Sequence, residues 1–430
     1  MGPAMPAENL QLPLDLDSLP YNTPARCSLR EELLGFDQFG KNTVQLSVKI
    51  PVGSGGVVEA PVYVNEFWTS KQRAANSLHE ISYRACFKPQ LPRFFIQRLT
   101  APGEIVYDPF MGRGTTLLEA ALLGRVPFGC DVNPLSLVLI GPRLRPPGLE
   151  EIAGRLGRID FSDADECPDE LLVFYHPETL REIAALKKYL RGRELDAVDR
   201  WICLVALNRL TGHSPGFFSV YTLPPNQAVS VKSQRKINAD RGQTPPRRRV
   251  ADLIVKKSRK LLRDCDATAR GALRSVADRA VLLNEAARAT PVIASGSVSL
   301  VVTSPPFLDV VDYAGDNWLR CWFLGLDAQA VHLTVPKKLG QWQAEMTAVF
   351  EELHRVLRDG GHVAFEVGEV RCGTVKLEET VISCGVAAGL QPLLVLINDQ
   401  KFTKTANCWG VDNNSKGTNT NRIVLFQKKG

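Results

Sequence analysis

Two short stretches of this 430-residue chain carry side chains whose type and spacing suit chemistry. The first is Asp108-Pro109-Phe110-Met111-Gly112-Arg113-Gly114-Thr115-Thr116. Two glycines let the backbone approach a ligand closely, and amides at the start of a following helix favour negative groups. Farther on, Asp131 stands where an acid takes ribose hydroxyls. A dinucleotide is one reading, but Gly-x-Gly-x-x-Gly is absent because Thr115-Thr116-Leu117 follows Gly114. The phosphate-loop Gly-Lys-Thr/Ser is absent too. A ligand with an adenosine, an amino-acid carboxylate and a sulfonium suits the turn better. Its carboxylate would use amides and the Thr115 and Thr116 hydroxyls, with Asp108 near the cation. An ordinary glycine-containing turn would explain two glycines, but not the full string.

The second stretch is Ser304-Pro305-Pro306-Phe307, directly after an apolar run. Two prolines stiffen the turn and remove two donors, leaving carbonyl oxygens, that of Pro305 above all, to accept from an amino group. Ser304 adds an acceptor and Phe307 a flat face for a base. An exocyclic amine is a poor nucleophile, and acceptors on its hydrogens favour a pyramidal, attacking nitrogen. An already activated methyl group then needs little beyond positioning. Taken alone, a Pro-Pro loop after a core strand is unremarkable; paired with the Asp108 turn it points to methyl transfer.

The flanking patterns supply the elements that must hold these stretches. Residues 104–108 and 128–131 read as short strands ending in acids, separated by a helix over 117–123 with Gly124 as its stop. Residues 68–99 read as helical, with breaks at Lys88-Pro89 and Leu91-Pro92. Strands follow at 298–304 and 362–367 with a helix over 344–357 between them, and 393–397 and 422–427 read as a final antiparallel pair. The class is α/β, a doubly wound parallel sheet. In such sheets ligands bind beyond the carboxyl ends of strands, so Asp108, Asp131 and Ser304 should share one crevice. The expected organisation is a loop-rich N-terminal arm or subdomain (1–70), a first part of the sheet domain (71–148), a largely helical insertion (149–277) and a second part (278–430).

The charge is uneven. Between Asn226 and Arg263 lie twelve basic residues opposed only by Asp240 and Asp252, a net +10 within a chain of +6, so the remainder is −4. Gln234, Asn238, Gly242 and Pro245-Pro246 lie among them, a mixture suited to a loop along phosphates that offers amides to base edges. A solvated helix face is the even-handed alternative. No apolar run approaches the roughly 18 residues of a membrane span. The first sixteen residues lack the pattern of a secretory signal, which sets a cytoplasmic, nucleoid-associated location as the expectation. Ten scattered cysteines without a Cys-x-x-Cys pair read as reduced thiols, with no metal site.

Residues 108–116 resemble the S-adenosylmethionine-binding motif of amino-methylating DNA methyltransferases. His79 and the stretch 83–92, with Phe87-Lys88-Pro89, resemble the family's segment that closes over the methionine moiety. Ser304–Phe307 resembles its Ser-Pro-Pro-aromatic form, associated with cytosine-N4 methylation; adenine-N6 enzymes usually carry Asp or Asn in place of Ser304. The similarity covers about 79–137 and 278–370. It implies a Rossmann-like methyltransferase sheet interrupted by the helical insertion, and S-adenosylmethionine held by Lys88, Pro89, Asp108, Pro109, Phe110, Gly112, Gly114, Thr115, Thr116, Asp131, Asn133 and Asn284. Transfer would occur at Ser304, Pro305, Pro306 and Phe307. Family order puts target recognition in the insertion, where Lys232, Arg235, Lys236, Arg241, Arg247, Arg248 and Arg249 would bind double-stranded DNA.

The implied activity is site-specific methylation of cytosine N4 by base flipping. An adenine-N6 DNA or RNA amine methyltransferase, and a nucleic-acid-binding protein on an inactive fold, stand as alternatives. A cognate restriction endonuclease is a further expected partner, and both monomer and homodimer are open. Two positions depart from the family pattern. Asn284, with Glu285 beside it, stands where an acid usually reads the adenine amine, and Arg113 replaces a small residue. Glu366 and Glu369 receive no role.

Overall fold

The computed structural model describes residues 28–52, 56–69, 75–83, 86–223, 229–306, 313–331, 336, 338–370, 375–399 and 420–430. Strands β3 (Ile105–Asp108), β4 (Val126–Cys130), β5 (Val281–Leu283), β6 (Val298–Thr303) and β7 (Leu357–Val367) form a parallel sheet in the order β5-β4-β3-β6-β7. A two-stranded ribbon follows, β8 (Glu369–Val370) with β9 (Val375–Lys376). Strand β11 (Thr420–Gln427) then inserts antiparallel between β7 and β10 (Gln391–Asp399), confirming the expected final pair. From β3 the chain moves outward through β4 and β5, then returns to the other side of β3 as β6. The order therefore reverses between β3 and β6, the point where open sheets of this kind form a ligand crevice. This is the doubly wound, Rossmann-like arrangement. All six residues of β6 are buried, as covering of both faces requires.

The N-terminal region differs from the loop-rich arm expected. The alternation Val44-Gln-Leu-Ser-Val-Lys-Ile has the period of a strand, and β1 (Val44–Val52) pairs antiparallel with β2 (Gly56–Asn65). Strand β2 runs parallel to β10, so this hairpin extends the sheet to nine strands.

Of the helical pattern over 68–99, the described residues contain a single turn at Ser77–His79 and then helix α2 (Gln90–Leu99), after α1 (Leu29–Leu34) near the start. Helices α3 (Thr115–Leu122) and α4 (Leu135–Leu144) cover one face. The insertion consists of α5 (Leu149–Leu156), α6 (Pro177–Arg191), α7 (Ala197–Leu207), α8 (Val231–Arg241) and α9 (Val250–Leu261), followed by α10 (Ala267–Ala277). Leu117 and Ile140 share one apolar core with Ile152, Ile183, Trp201, Leu204, Ile254 and Leu273, so the insertion is packed onto the sheet domain. Trp201 donates its indole N–H to Ser258 Oγ at 3.0 Å, pinning α7 to α9. The basic stretch is mainly α8 and α9, joined by non-helical backbone at 242–249. Behind β6 and β7 pack α12 (Leu339–Val356) and α13 (Leu377–Ala387), through Trp342, Phe350, Phe365 and Phe426. Helix α11 (Tyr313–Leu324) follows the Ser304 turn.

Candidate active site

Strand β3 ends at Asp108, 1% exposed, and the chain turns through Gly112 (φ +49°) into α3. Gly114 has φ +74°, and a Cβ there would lie 2.3 Å from Ile140 Cγ1, so only glycine passes. Asp108 Oδ1 accepts from Thr303 Oγ1 at 2.6 Å and from Phe110 N at 3.1 Å. Burial nevertheless pushes its carboxyl up to about 7, against the lowering effect of these bonds and of Thr116. The Thr116 hydroxyl donates its one proton to Val302 O at 3.0 Å, and Thr115 Oγ1 accepts from Arg113 Nε at 3.2 Å. Pro109 is buried and Phe110 half-buried.

Asp131 closes the far side of the turn. Its Oδ2 accepts from Gly112 N at 2.8 Å and its Oδ1 from Asn133 N at 2.9 Å, and burial raises its carboxyl above the ordinary value. Asn133 accepts from Leu135 N at 2.9 Å, capping α4, and donates Nδ2 to the Tyr83 hydroxyl at 2.7 Å. Asn284 donates to Asp131 O at 2.8 Å, while the buried Glu285 Oε2 has no partner among the described residues. Lys88 is half-buried before α2, with Pro89 as that helix's cap; burial, and Arg113 nearby, hold its ammonium below the ordinary value. The crevice therefore presents carboxylates at one end and the first-turn amides of α3 at the turn. That donor set fits a ligand with a cation, ribose hydroxyls and a carboxylate, as S-adenosylmethionine has.

Ser304 and Pro305 lie at the tip of β6, beside Asp108. Ser304 is half-buried and Pro305 buried. The Pro306 carbonyl accepts from Trp342 Nε1 at 3.0 Å; among the described residues no donor is seated on the Pro305 carbonyl. Phe307 lies outside the described residues. Glu366, at a strand end near the expected crevice and given no role from sequence, lies on β7. Thr303 is in register with Phe365, so Ser304 comes opposite Glu366, close enough for its hydroxyl to work against the rise of that carboxyl. Asn421 Nδ2 donates to Glu366 Oε1 at 2.9 Å, and burial raises the Glu366 carboxyl. An acid at the end of the apolar run 362–367 was the sequence signal for it.

The basic residues are divided by their surroundings. Lys232, Arg235 and Lys236 are exposed on α8. Arg241 lies over the Tyr221 ring at 3.9 Å, Arg247 pairs with Glu178 at 2.5 Å, and Arg249 pairs with Asp252 at 3.6 Å. Arg248 is half-buried.

Residues 34–137 match the profile of a DNA methylase family, N6_N4_Mtase. The chain is 22% identical over 392 residues to the type II methyltransferase M.BsoBI of Geobacillus stearothermophilus, covering 83% of this chain and 74% of that protein. It is 31% identical over 122 residues to the type II methyltransferase M.MvaI of Kocuria varians, covering 28% of this chain and 24% of that protein. Among solved structures, a SAM-dependent methyltransferase from Methanosarcina mazei aligns with TM-score 0.33 at 10% identity, covering 78% of this chain and 97% of that one.

Proposed function

We propose that this chain, a member of the S-adenosylmethionine-dependent amino DNA methyltransferase family, methylates the N4 amine of cytosine in duplex DNA. The observation that carries this reading is Ser304, at the tip of β6 next to Asp108 and opposite buried Glu366 on β7. S-adenosylmethionine supplies, when bound, a methyl group activated by its sulfonium. Asp108 and Asp131 would hold the cationic and ribose portions, and the start of α3 would take the carboxylate.

The Pro305 carbonyl and Ser304 Oγ accept hydrogen bonds from the cytosine amine, orienting its lone pair toward the methyl carbon. Giving its own proton to the Glu366 carboxylate opposite leaves the Ser304 oxygen to face the amine as an acceptor, strengthened by the carboxylate behind it. The methylated amine must lose one proton. Glu366, raised by burial, is the base that proton reaches through Ser304 Oγ. A small hydroxyl at position 304, where adenine-N6 enzymes usually carry Asp or Asn, supports cytosine as the base.

The target base must leave the helix stack, at a cost of a few kcal/mol. The insertion at 149–277 is assigned to target recognition, with the exposed α8 cations on phosphates offsetting that cost. Incubation of the protein with labelled S-adenosylmethionine and a mixed-sequence duplex, then mass analysis of the digested nucleosides, tests the reading. N4-methylcytosine is the expected product. N6-methyladenine would overturn the base assignment, and no transfer to any nucleic acid would overturn the enzymatic one.

A further inference from the structure

Residues 76–83 follow the edge hairpin and lead toward the cofactor turn, and most of their backbone has neither helix nor sheet partners. Buried carbonyls without such a ladder must find other donors. Here each finds a different element. Arg143 of α4 donates to Leu78 O at 3.3 Å, and Arg113 of the cofactor turn to Ile81 O at 3.2 Å. Arg320 of α11 donates to Ser82 O at 3.2 Å, and Lys257 of α9 to Glu80 O. Ser82 N donates to Asn208 Oδ1 at 2.6 Å, and Asn208 is itself tied to Leu204 O of α7 at 3.0 Å. The segment's start is anchored at the end of α9, where Ser77 Oγ donates to Leu261 O at 2.9 Å. Its end carries Tyr83, whose ring neighbours Gly112 and whose hydroxyl accepts from Asn133. The segment is thus clamped between the cofactor turn on one side and the insertion on the other.

We infer that Lys257 and Asn208, both in the insertion, are positioning residues for cofactor binding: they hold segment 76–83 so that Tyr83 stands against the Gly112 turn. The inference rests on the reading that S-adenosylmethionine binds at that turn. Neither residue touches the turn itself; each acts through the backbone of Glu80 or Ser82. Asn208 is 2% and Lys257 8% exposed, which commits both to this role rather than to phosphate contact. Burial and the neighbouring Arg209 push the Lys257 amine down to about 7, and it donates to the carbonyl in either protonation state.

The test is calorimetric titration of S-adenosylmethionine into the full chain and into Lys257→Met, Asn208→Ala and Arg155→Met. Arg155 pairs with Asp196 and Asp199 within the insertion, away from the segment, and controls for simple destabilisation. Both test variants should weaken binding by roughly 2- to 30-fold. They should raise the KM for S-adenosylmethionine while kcat stays nearly unchanged, and Arg155→Met should bind like the native chain. Native affinity in Asn208→Ala and in folded Lys257→Met would overturn the inference, as would equal weakening in Arg155→Met. A native chain that binds no S-adenosylmethionine would instead overturn the functional reading, and the inference with it.

Discussion

Thr303 Oγ1 donates to Asp108 Oδ1 at 2.6 Å, joining the ends of two neighbouring strands whose residues lie 195 apart in the chain. One bond thereby ties the cofactor turn to the strand that carries Ser304. Both groups are buried, so the bond is made without competition from water. Thr303→Val keeps the shape and removes the donor. It should cost about 1–3 kcal/mol of stability, the usual worth of one hydrogen bond to an ionisable acceptor, which keeps its bond from Phe110 N, and weaken S-adenosylmethionine binding. Urea denaturation and calorimetry measure the two effects.

The pH dependence of cofactor binding follows from Asp108. Its carboxyl stands at about 7 in the folded protein against an ordinary value of 3.8, so the folded state holds a proton that the unfolded chain loses between those values. Its contribution to stability is present below 3.8 and is lost as pH rises through about 7. A cationic ligand favours the ionised form, so affinity for S-adenosylmethionine should rise with pH, by up to about tenfold per unit below 7. Asp108→Asn should bind weakly with a flat profile. A flat profile in the native protein would detach Asp108 from the cation.

Ser304→Ala should lower kcat by about 10²-fold or more while leaving the dissociation constant of S-adenosylmethionine nearly unchanged. Glu366→Gln preserves size and can still accept from Ser304, so its loss should be smaller, and it should shrink as pH falls and native Glu366 takes up its own proton. Rapid-quench single turnovers beside equilibrium binding separate these effects. Equal losses in turnover and cofactor binding would put Ser304 outside the transfer step.

Phosphate binding should be carried more by α8 than by the 247–249 run. Lys232, Arg235 and Lys236 are exposed, whereas Arg247 and Arg249 already face Glu178 and Asp252. Neutralising the α8 three should flatten the slope of log K against log salt by up to roughly 0.9 per contact. Neutralising 247–249 should flatten it less. If neither triple changes the slope, this surface is an ordinary solvated face.

At the adenosine end, Glu285 should matter more than Asn284. The Asn284 amide is spent on Asp131 O, while Glu285 has a buried oxygen without a partner among the described residues. Glu285→Gln should weaken S-adenosylmethionine binding by about tenfold, from the loss of a charge-assisted hydrogen bond. Asn284→Ala should act modestly. Isothermal titration of both variants decides, and the reverse order would return the contact to Asn284.

Local pattern was enough for the α/β class and for the strands whose ends lie side by side at Asp108, Asp131 and Ser304. A strand ending in Asp108 before Gly112 and Gly114, and one ending before Ser304, were each legible within a few residues. The edge hairpin was legible in the alternation from Val44 to Ile50, but the prolines and glycines around it read as loop. The roles of Glu366, Thr303, Lys257 and Asn208 were not legible, because each depends on a neighbour supplied by another strand or helix. Glu366 matters because parallel register sets β7 beside β6, and Lys257 because α9 folds back onto residues 76–83. The local sequence determined which groups this protein carries to the crevice. Only the tertiary structure decided which buried carboxylate stands behind Ser304 and which cation holds each carbonyl, since a buried polar group takes its partner from whatever packing brings within 3 Å or so.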